Sequence, residues 1–150
     1  MRWIYWTIAT ALGSGFSPLA PGTAGSLLAV IIAYGFIPAH AVWNLPFATV
    51  VVFLLGIPAA TQVARSTRQT DPQIVVIDEV VGMWLSLWWL PKSIGWYGLA
   101  FVTFRLLDIW KPFPIRQVEH LGEGLGIMLD DVLAGAYALV ILQGIHYFIH

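Results

Sequence analysis

The chain has 150 residues, of which 59% are hydrophobic and only 10% are charged, and its mean hydropathy is +0.79. Soluble domains carry about 25% charged residues, and a chain of this length has too little interior to bury so much apolar surface. The net charge of −1 excludes the basic surface of a nucleic-acid-binding protein, and the absence of cysteine excludes disulfides, thiolate metal sites and a cysteine nucleophile. These numbers predict an integral membrane protein.

Hydropathy and turn residues divide the chain into a short N-terminal segment and five longer apolar segments. Residues 3–12 are shorter than a signal peptide and too short for a crossing of about 20 residues, so a retained interfacial or re-entrant helix is expected there. A loop rich in Gly, Ser and Pro follows over residues 13–26. Transmembrane helices are predicted over residues 23–37, 47–64, 74–90, 94–110 and 127–148. The fold prediction is therefore an all-α integral membrane protein with about five transmembrane helices, forming a single membrane-embedded domain over residues 1–150.

Charged residues fall almost entirely on one side of this predicted topology. With five crossings, that side receives all eight acidic residues and every basic residue except Lys92. Because loops rich in Lys and Arg stay in the cytoplasm, this side is predicted to face the cytoplasm.

Five acidic residues lie on the predicted cytoplasmic side within about one turn of an apolar helix. They are Asp78, Glu79, Asp108, Asp130 and Asp131. One such carboxylate is commonly an ordinary helix cap, but ionisable groups at membrane depth are costly unless they are paired. Five carboxylates on one face repel each other, and a hard divalent cation relieves that repulsion. Oxygen ligands without cysteine favour Mg²⁺ or Mn²⁺ over zinc, so we predict a metal site here.

Two further groups of residues have the chemistry to bind an anion beside these acids. Arg105, Asp108 and Lys111 are spaced three residues apart, so they share one helix stripe. That stripe is either a salt-bridged helix end or a metal ligand between two phosphate-binding cations. The sequence PGTAGS places the hydroxyls of Thr23 and Ser26 at a predicted helix start, where backbone amides bind phosphate. The same segment also fits an ordinary helix cap.

Four segments that contain these residues are more specific together than any of them alone. They are GSGFSPLAPGTAGS (13–26), IDEVVGMW (77–84), FRLLDIWKPFPI (104–115) and GLGIMLDDVLAG (124–135). In order and spacing they resemble the phosphatidylglycerophosphatase A family of bacterial membrane lipid phosphatases, and the likeness extends from about residue 13 to residue 135.

The resemblance implies a Mg²⁺-dependent enzyme on the cytoplasmic face of the bacterial inner membrane, which removes the terminal phosphate of phosphatidylglycerophosphate to give phosphatidylglycerol. Its partners would be this phospholipid substrate and the bilayer, and the sequence does not decide whether the chain forms a homo-oligomer. Two routes stay open for the attack on phosphorus, by a water activated at the metal or by an aspartate that forms an aspartyl-phosphate. The family's acidic residues, which bind metal and catalyse, correspond here to Asp78, Glu79, Asp108, Asp130 and Asp131, with Arg105 and Lys111 beside them.

Three other functions fit these features of the chain less well. A phospholipid-synthesis transferase of the CDP-alcohol type also uses membrane-edge acids and Mg²⁺, but its DG-x-x-A-R element with spaced aspartates is absent. A cation transporter would place acids through the depth of the bilayer, whereas the acids here lie on one predicted side. A purely structural subunit would leave the acidic cluster unexplained. The sequence therefore favours the phosphatase.

Overall fold

The computed structural model describes residues 1–150, and every regular element in it is helical. Seven α-helices are joined by loops and by two short 3₁₀ turns, at Ser14–Phe16 and Glu119–Leu121. The helices are α1 (Arg2–Ala9), α2 (Pro21–Phe36), α3 (Asn44–Thr67), α4 (Ile77–Ser86), α5 (Ile94–Trp110), α6 (Ile115–Val118) and α7 (Glu123–Ile149). The all-α class predicted from the sequence is confirmed.

Local sequence signals set the start of α2 and both ends of α5. Pro21 opens α2 at a position where its missing N–H is not needed. The hydroxyl of Ser93 caps α5 by accepting a hydrogen bond from the backbone N–H of Trp96 at 3.2 Å. α5 stops at Lys111, which adopts a left-handed conformation (φ 53°) directly before Pro112, a residue that cannot continue the helix.

The prediction of five transmembrane helices is wrong. Only α3 and α7 are long and apolar enough to cross a membrane, each with a mean hydropathy of 1.9 over an 18-residue window. α2 has 16 residues and α5 has 17, which is short of the ~20 that a crossing needs. α4 has ten residues instead of the predicted span over 74–90. At ~1.5 Å per residue it is about half as long as the ~30 Å hydrocarbon core is thick.

Burial inside the protein explains why α4 resembles a membrane span in the sequence. All ten of its residues are buried, and it packs against α2, α3, α5 and α7. A segment enclosed by other helices is as apolar as one surrounded by lipid, so hydropathy does not separate the two cases. The residues just before α4 form a loop, which the backbone N–H of Val76 joins to the carbonyl of Ala9 at 2.8 Å. The predicted cytoplasmic side was derived from a count of five crossings. That derivation therefore no longer holds.

The helices still end at two distinct regions of the molecule. At the first, which we call the cavity end, α3 finishes and α7 begins, and Arg65 Nη2 lies 2.8 Å from the Glu123 carboxylate. α2 and α4 also begin at the cavity end, and α5 finishes there. At the opposite end, Lys92 Nζ donates to the carbonyl oxygen of Ile37 at 2.9 Å and so joins the α4–α5 loop to the end of α2.

Two glycines allow the backbones of α4 and α7 to touch. A Cβ on Gly135 would overlap the carbonyl oxygen of Gly82, and a Cβ on Gly82 would lie 2.5 Å from the carbonyl oxygen of Asp131. Asp78 and Asp131 each lie four residues, about one turn, before the glycine of their own helix. The glycine contact therefore places these two acids side by side at the cavity end.

Candidate active site

A cavity of about 420 Å³ opens at the cavity end between α2, α4, α5 and α7. Its charged lining consists of six acidic and two basic residues: Asp71, Asp78, Glu79, Asp108, Asp130, Asp131, Arg105 and Lys111. The five acids singled out in the sequence thus lie in one cavity, together with both predicted phosphate-binding cations. Their individual chemical roles stay predictions.

Asp131 and Asp78 carry carboxylate oxygens that have no partner in the protein. Asp131 is 1% exposed and neither of its carboxylate oxygens accepts a hydrogen bond, and Asp78 is 7% exposed with its Oδ1 likewise unpaired. A buried carboxylate without a partner is strongly unfavourable. A hard cation is the partner that usually compensates such oxygens, so these two residues fit a metal site.

Two sets of three carboxylates have ligand atoms close enough to share a cation. Asp78, Asp130 and Asp131 form the first set, and Glu79, Asp108 and Asp131 form the second. Within each set, one oxygen from each residue lies within 4.8 Å of the others. Asp131 belongs to both sets, and the acidic cluster as a whole has the donor atoms of a metal site.

Arg105 makes two ion pairs, one that ties α5 to Glu79 on α4 and one within α5 to Asp108. Its Nη1 donates to Glu79 Oε2 at 2.8 Å and to Asp108 Oδ2 at 2.7 Å. The three side chains are only 11–16% exposed, so these are enclosed ion pairs that fix the second carboxylate set in place.

Lys111 makes a corresponding connection between the end of α5 and α7. Its Nζ donates to Asp130 Oδ2 at 3.0 Å and also contacts the carboxylate of Glu119. Burial lowers the pKa of Lys111, but the hydrogen bonds and charges of Glu119 and Asp130 outweigh burial and raise the pKa above its usual value. Lys111 therefore stays positively charged at the edge of the cavity.

The first turn of α2 approaches the charged cluster through its backbone. A Cβ on Gly22 would lie 2.6 Å from Glu79 Oε1 and 3.2 Å from Arg105 Nη1, so only glycine fits there without a shift. Thr23 lines the cavity, as a phosphate-binding residue would. Ser26 is buried outside the cavity lining, with its hydroxyl 2.9 Å from the Gly22 carbonyl oxygen and 3.3 Å from Glu79 Oε2. Phosphate binding by Ser26 stays a prediction. The contact of its hydroxyl with Glu79 Oε2 indicates instead that Ser26 positions the Glu79 carboxylate.

Two acidic residues at this site were not predicted from the sequence. Asp71 lines the cavity from the polar loop before α4, and Glu119 pairs with Lys111 from the 3₁₀ turn. The crowded cavity mouth partly desolvates Asp71 and so raises the pKa of its carboxyl, although the charge of Lys111 opposes this. Both residues lie in polar loops, where no pattern distinguishes them from solvated charges. The sequence shows only that Asp71 lies near the site acids along the chain, seven residues before Asp78.

Apolar side chains form one rim of the otherwise charged cavity. Leu19 and Ile109 both line it, yet they are 95% and 69% exposed. Trp110, next to Ile109, is also 69% exposed. Exposed apolar side chains thus lie directly beside the charged pocket.

The chain is similar to proteins of one known family. It matches the family model described as Phosphatidylglycerophosphatase A over residues 7–146. It is 45% identical to a protein of Bacteroides thetaiotaomicron provisionally named phosphatidylinositol-3-phosphatase, over 90% of this chain and 89% of that protein. It is 41% identical to the Phosphatidylglycerophosphatase A of Escherichia coli, over 95% of this chain and 81% of that protein, and 39% identical to that of Haemophilus influenzae, over 93% and 87%. No solved structure matches the chain. The family match covers nearly the whole chain and includes all four motifs, so the chain belongs to the phosphatidylglycerophosphatase A family.

Proposed function

We propose that this protein is a Mg²⁺-dependent lipid phosphatase that hydrolyses the terminal phosphate monoester of phosphatidylglycerophosphate. The products are phosphatidylglycerol and inorganic phosphate, which places the enzyme in bacterial phospholipid synthesis. The observation that carries the proposal is the convergence of five carboxylates with Arg105 and Lys111 in one cavity. Membership of the family supports the choice of substrate.

The metal would be held by the five carboxylates predicted as its ligands: Asp78, Glu79, Asp108, Asp130 and Asp131. Carboxylate oxygens are the protein ligands that Mg²⁺ prefers, and the unpartnered oxygens of Asp131 fit that chemistry. When bound, the ion supplies positive charge that neutralises the phosphate oxygens and the charge that develops during transfer.

The protein's own donors are placed to hold the phosphate oxygens. Arg105 uses only Nη1 for its two carboxylate partners, so the other N–H groups of its guanidinium are free to bind phosphate. Lys111 adds a second fixed positive charge at the same cavity. The backbone N–H groups of Gly22 and Thr23, in the first turn of α2, have no carbonyl partner within the helix. Electrostatic stabilisation of this kind is the main task of a protein in phosphoryl transfer.

A carboxylate of the cavity completes the reaction in one of two ways. In one route it takes the proton from a water that attacks phosphorus, and the glycerol oxygen leaves with a proton as phosphatidylglycerol. In the other it attacks phosphorus itself and displaces the same glycerol oxygen, and water then hydrolyses the aspartyl-phosphate to release inorganic phosphate. Acid quenching during turnover of substrate labelled on its terminal phosphate separates these routes. Label retained on the protein supports the covalent route, and unlabelled protein supports direct attack by water.

The apolar rim supports a lipid rather than a soluble phosphate ester as substrate. The terminal phosphate would enter the charged cavity while the glycerol backbone and acyl chains lie against Leu19, Ile109 and Trp110. The charged cavity would thus contact the phosphate of one amphipathic molecule, and the apolar surface would contact its acyl chains.

The chain would reside in the bacterial inner membrane as a single domain, with α3 and α7 crossing the bilayer and the cavity end facing the cytoplasm. The charge distribution supports this orientation without any count of crossings. Arg65, Arg105 and Lys111 lie at the cavity end, whereas Lys92 lies at the opposite end. Basic residues are retained on the cytoplasmic side of membrane proteins.

A second candidate substrate comes from the Bacteroides relative, whose name indicates action on a phosphatidylinositol 3-phosphate. That lipid also presents a phosphate monoester on its head group, so the same charged residues would bind it. The two substrates differ in the ring or chain that carries the phosphate, and this difference is measurable.

Phosphate release by the purified protein in detergent tests the proposal. We expect release from phosphatidylglycerophosphate with Mg²⁺ and loss of release with a chelator, and the rate on phosphatidylinositol 3-phosphate, measured beside it, decides between the two candidate substrates. Asp108→Asn is expected to abolish activity, whereas Glu123→Gln, which alters an exposed acid outside the cavity, should not. Absence of release from phosphatidylglycerophosphate, or activity indifferent to both the chelator and Asp108→Asn, would overturn the proposal.

A further inference from the structure

We infer that the cavity binds two divalent cations and that Asp131 bridges them, one carboxylate oxygen to each. This inference deepens the proposed function and rests on it for the divalent ion. It is carried by the place of Asp131 in both carboxylate sets, together with its two buried and unpaired oxygens.

The two carboxylate sets provide the two positions. Asp78 and Asp130 lie with Asp131 in the first set, and Glu79 and Asp108 lie with it in the second. Asp131 is the one residue common to both sets. Both of its oxygens are buried and unpaired, so each is free to face a different ion.

Arg105 does not compete for the second position. It binds Oε2 of Glu79 and Oδ2 of Asp108, which leaves Oε1 and Oδ1 of these residues without a hydrogen bond from any side chain. An arginine and a cation would therefore use different oxygens of the same two carboxylates. The ion pairs hold both side chains in the orientation that the second set requires.

Charge balance also favours two ions over one. Six carboxylates and two basic side chains line the cavity, which gives a formal charge of −4 when all are ionised. One divalent cation leaves −2, and such a cavity would repel a phosphate monoester, which itself carries about −1.5 to −2. Two divalent cations bring the formal charge to zero and face the substrate with concentrated positive charge. Pairs of metal ions about 3.5–4 Å apart act in this way in other phosphatases.

Manganese titration of the full-length protein in detergent tests the inference, because Mn²⁺ prefers the same oxygen ligands as Mg²⁺ and is visible by electron paramagnetic resonance. Loss of the free Mn²⁺ signal gives the number of ions bound per chain. We expect two bound ions and, at low temperature, the broad spectrum of an exchange-coupled pair. One bound ion with an isolated six-line spectrum would overturn the inference.

Substitutions that touch one set or both sharpen this test. Asp78→Asn and Glu79→Gln each alter a single set, so each is expected to leave one uncoupled Mn²⁺ bound. Asp131→Asn alters both sets and is expected to abolish the coupled spectrum. Glu123→Gln, on the same helix as Asp131 but paired with exposed Arg65, is the matched control and should retain two coupled ions.

Circular dichroism and size-exclusion chromatography establish that each variant is folded. If Asp131→Asn does not fold, the two single-set variants and the unmodified protein still decide the matter. An Asp78→Asn protein that keeps both ions, or that loses both while folded, would contradict the assignment of the two sets.

The test of the metal pair and the test of the proposed function can fail independently. A protein that binds one Mn²⁺ and still releases phosphate from phosphatidylglycerophosphate would refute the ion pair and leave the activity in place. A coupled pair in a protein that releases no phosphate from that lipid would do the reverse.

Discussion

Gly82→Ala tests whether the backbone contact between α4 and α7 sets the position of the site acids. The added methyl carbon would lie 2.5 Å from the carbonyl oxygen of Asp131 and 2.5 Å from a ring carbon of Phe104. Ordinary van der Waals contact begins at 3.4 Å, so the atoms that the methyl meets must move by about 0.9 Å. Phe104 is fully buried and the oxygen belongs to helix backbone, so neither yields easily.

The displacement falls on the residue shared by both carboxylate sets. Because the methyl group meets the backbone of Asp131 itself, a shift of α7 moves that carboxylate away from Asp78 on α4. A misplacement of ~1 Å costs an enzyme about 100-fold in rate, and an extra carbon in a packed core costs about 1–3 kcal/mol. We therefore expect kcat to fall about 100-fold in Gly82→Ala, together with a lower Tm.

Phosphate release at saturating Mg²⁺ and lipid, measured beside thermal unfolding in the same detergent, checks both numbers. Gly144→Ala is the matched control, because Gly144 lies on α7 and a Cβ there would meet no atom within 4 Å. Alanine in place of that glycine should leave kcat unchanged and favour the helix by about 1 kcal/mol. Wild-type kcat and Tm in Gly82→Ala would refute the reasoning.

The placement of charges leads to three further expectations. Arg105→Gln breaks two enclosed ion pairs and should destabilise the chelator-treated protein by about 3–5 kcal/mol in unfolding titrations. Arg65→Gln breaks an exposed pair and should cost at most about 1 kcal/mol, so equal effects would contradict the comparison. The pKa of Asp71 is raised in the fold, so its ionisation costs stability above the folded pKa and costs none below the usual value of 3.8. Asp71→Asn should accordingly raise the Tm in chelator near neutral pH, and a gain that persists at about pH 3 would count against this. The chain has no cysteine, so single cysteines report orientation cleanly. His40 lies in the α2–α3 loop at the opposite end, and Gln69 closely follows α3 at the cavity end. In spheroplasts, an impermeant maleimide should label His40→Cys and spare Gln69→Cys, and the opposite pattern would place the cavity end outside.

The sequence was sufficient to predict the helical class and most of the helix bounds. α5 was predicted over 94–110 and is observed over Ile94–Trp110, because Ser93 and the Lys111-Pro112 step are strong local end signals. α2, α3 and α7 differ from their predicted bounds by no more than four residues. α4 was missed as a short helix because its apolar sequence reflects enclosure by neighbouring helices, which is a tertiary property.

The acids of the site were predictable because charge is scarce in an apolar chain, so each carboxylate beside a helix is informative. The Arg105–Asp108 pair was predictable from its spacing of three residues, but the partners that come from other helices were not. The Arg105 bond to Glu79 joins residues 26 positions apart, and the Ser26 contact with Glu79 spans 53 positions. The approach of Gly22 to the same carboxylate depends on the angle at which α2 meets α4. Such long-range contacts are set by packing, and no spacing rule along the chain encodes them.

Helix direction makes the surroundings of Asp108 less favourable to negative charge than those of Asp78 and Glu79. Asp78 and Glu79 lie in the first turn of α4, where the positive end of the helix dipole stabilises a carboxylate by about 0.3–1 kcal/mol. Asp108 lies near the C-terminal end of α5, where the dipole is unfavourable to negative charge. Arg105 lies one turn before Asp108 on that helix and contacts it at 2.7 Å, so its positive charge offsets the unfavourable dipole.

Asp131 differs from the other four acids in its lack of compensating positive charge. Asp130 and Asp131 lie two turns inside α7, beyond the first turn over which a helix dipole acts. Asp130 is compensated by Lys111, which lies 3.0 Å away. Asp131 has neither a helix end nor a basic side chain, and both of its oxygens are unpaired. Of the five acids it is therefore the one whose negative charge the protein itself compensates least.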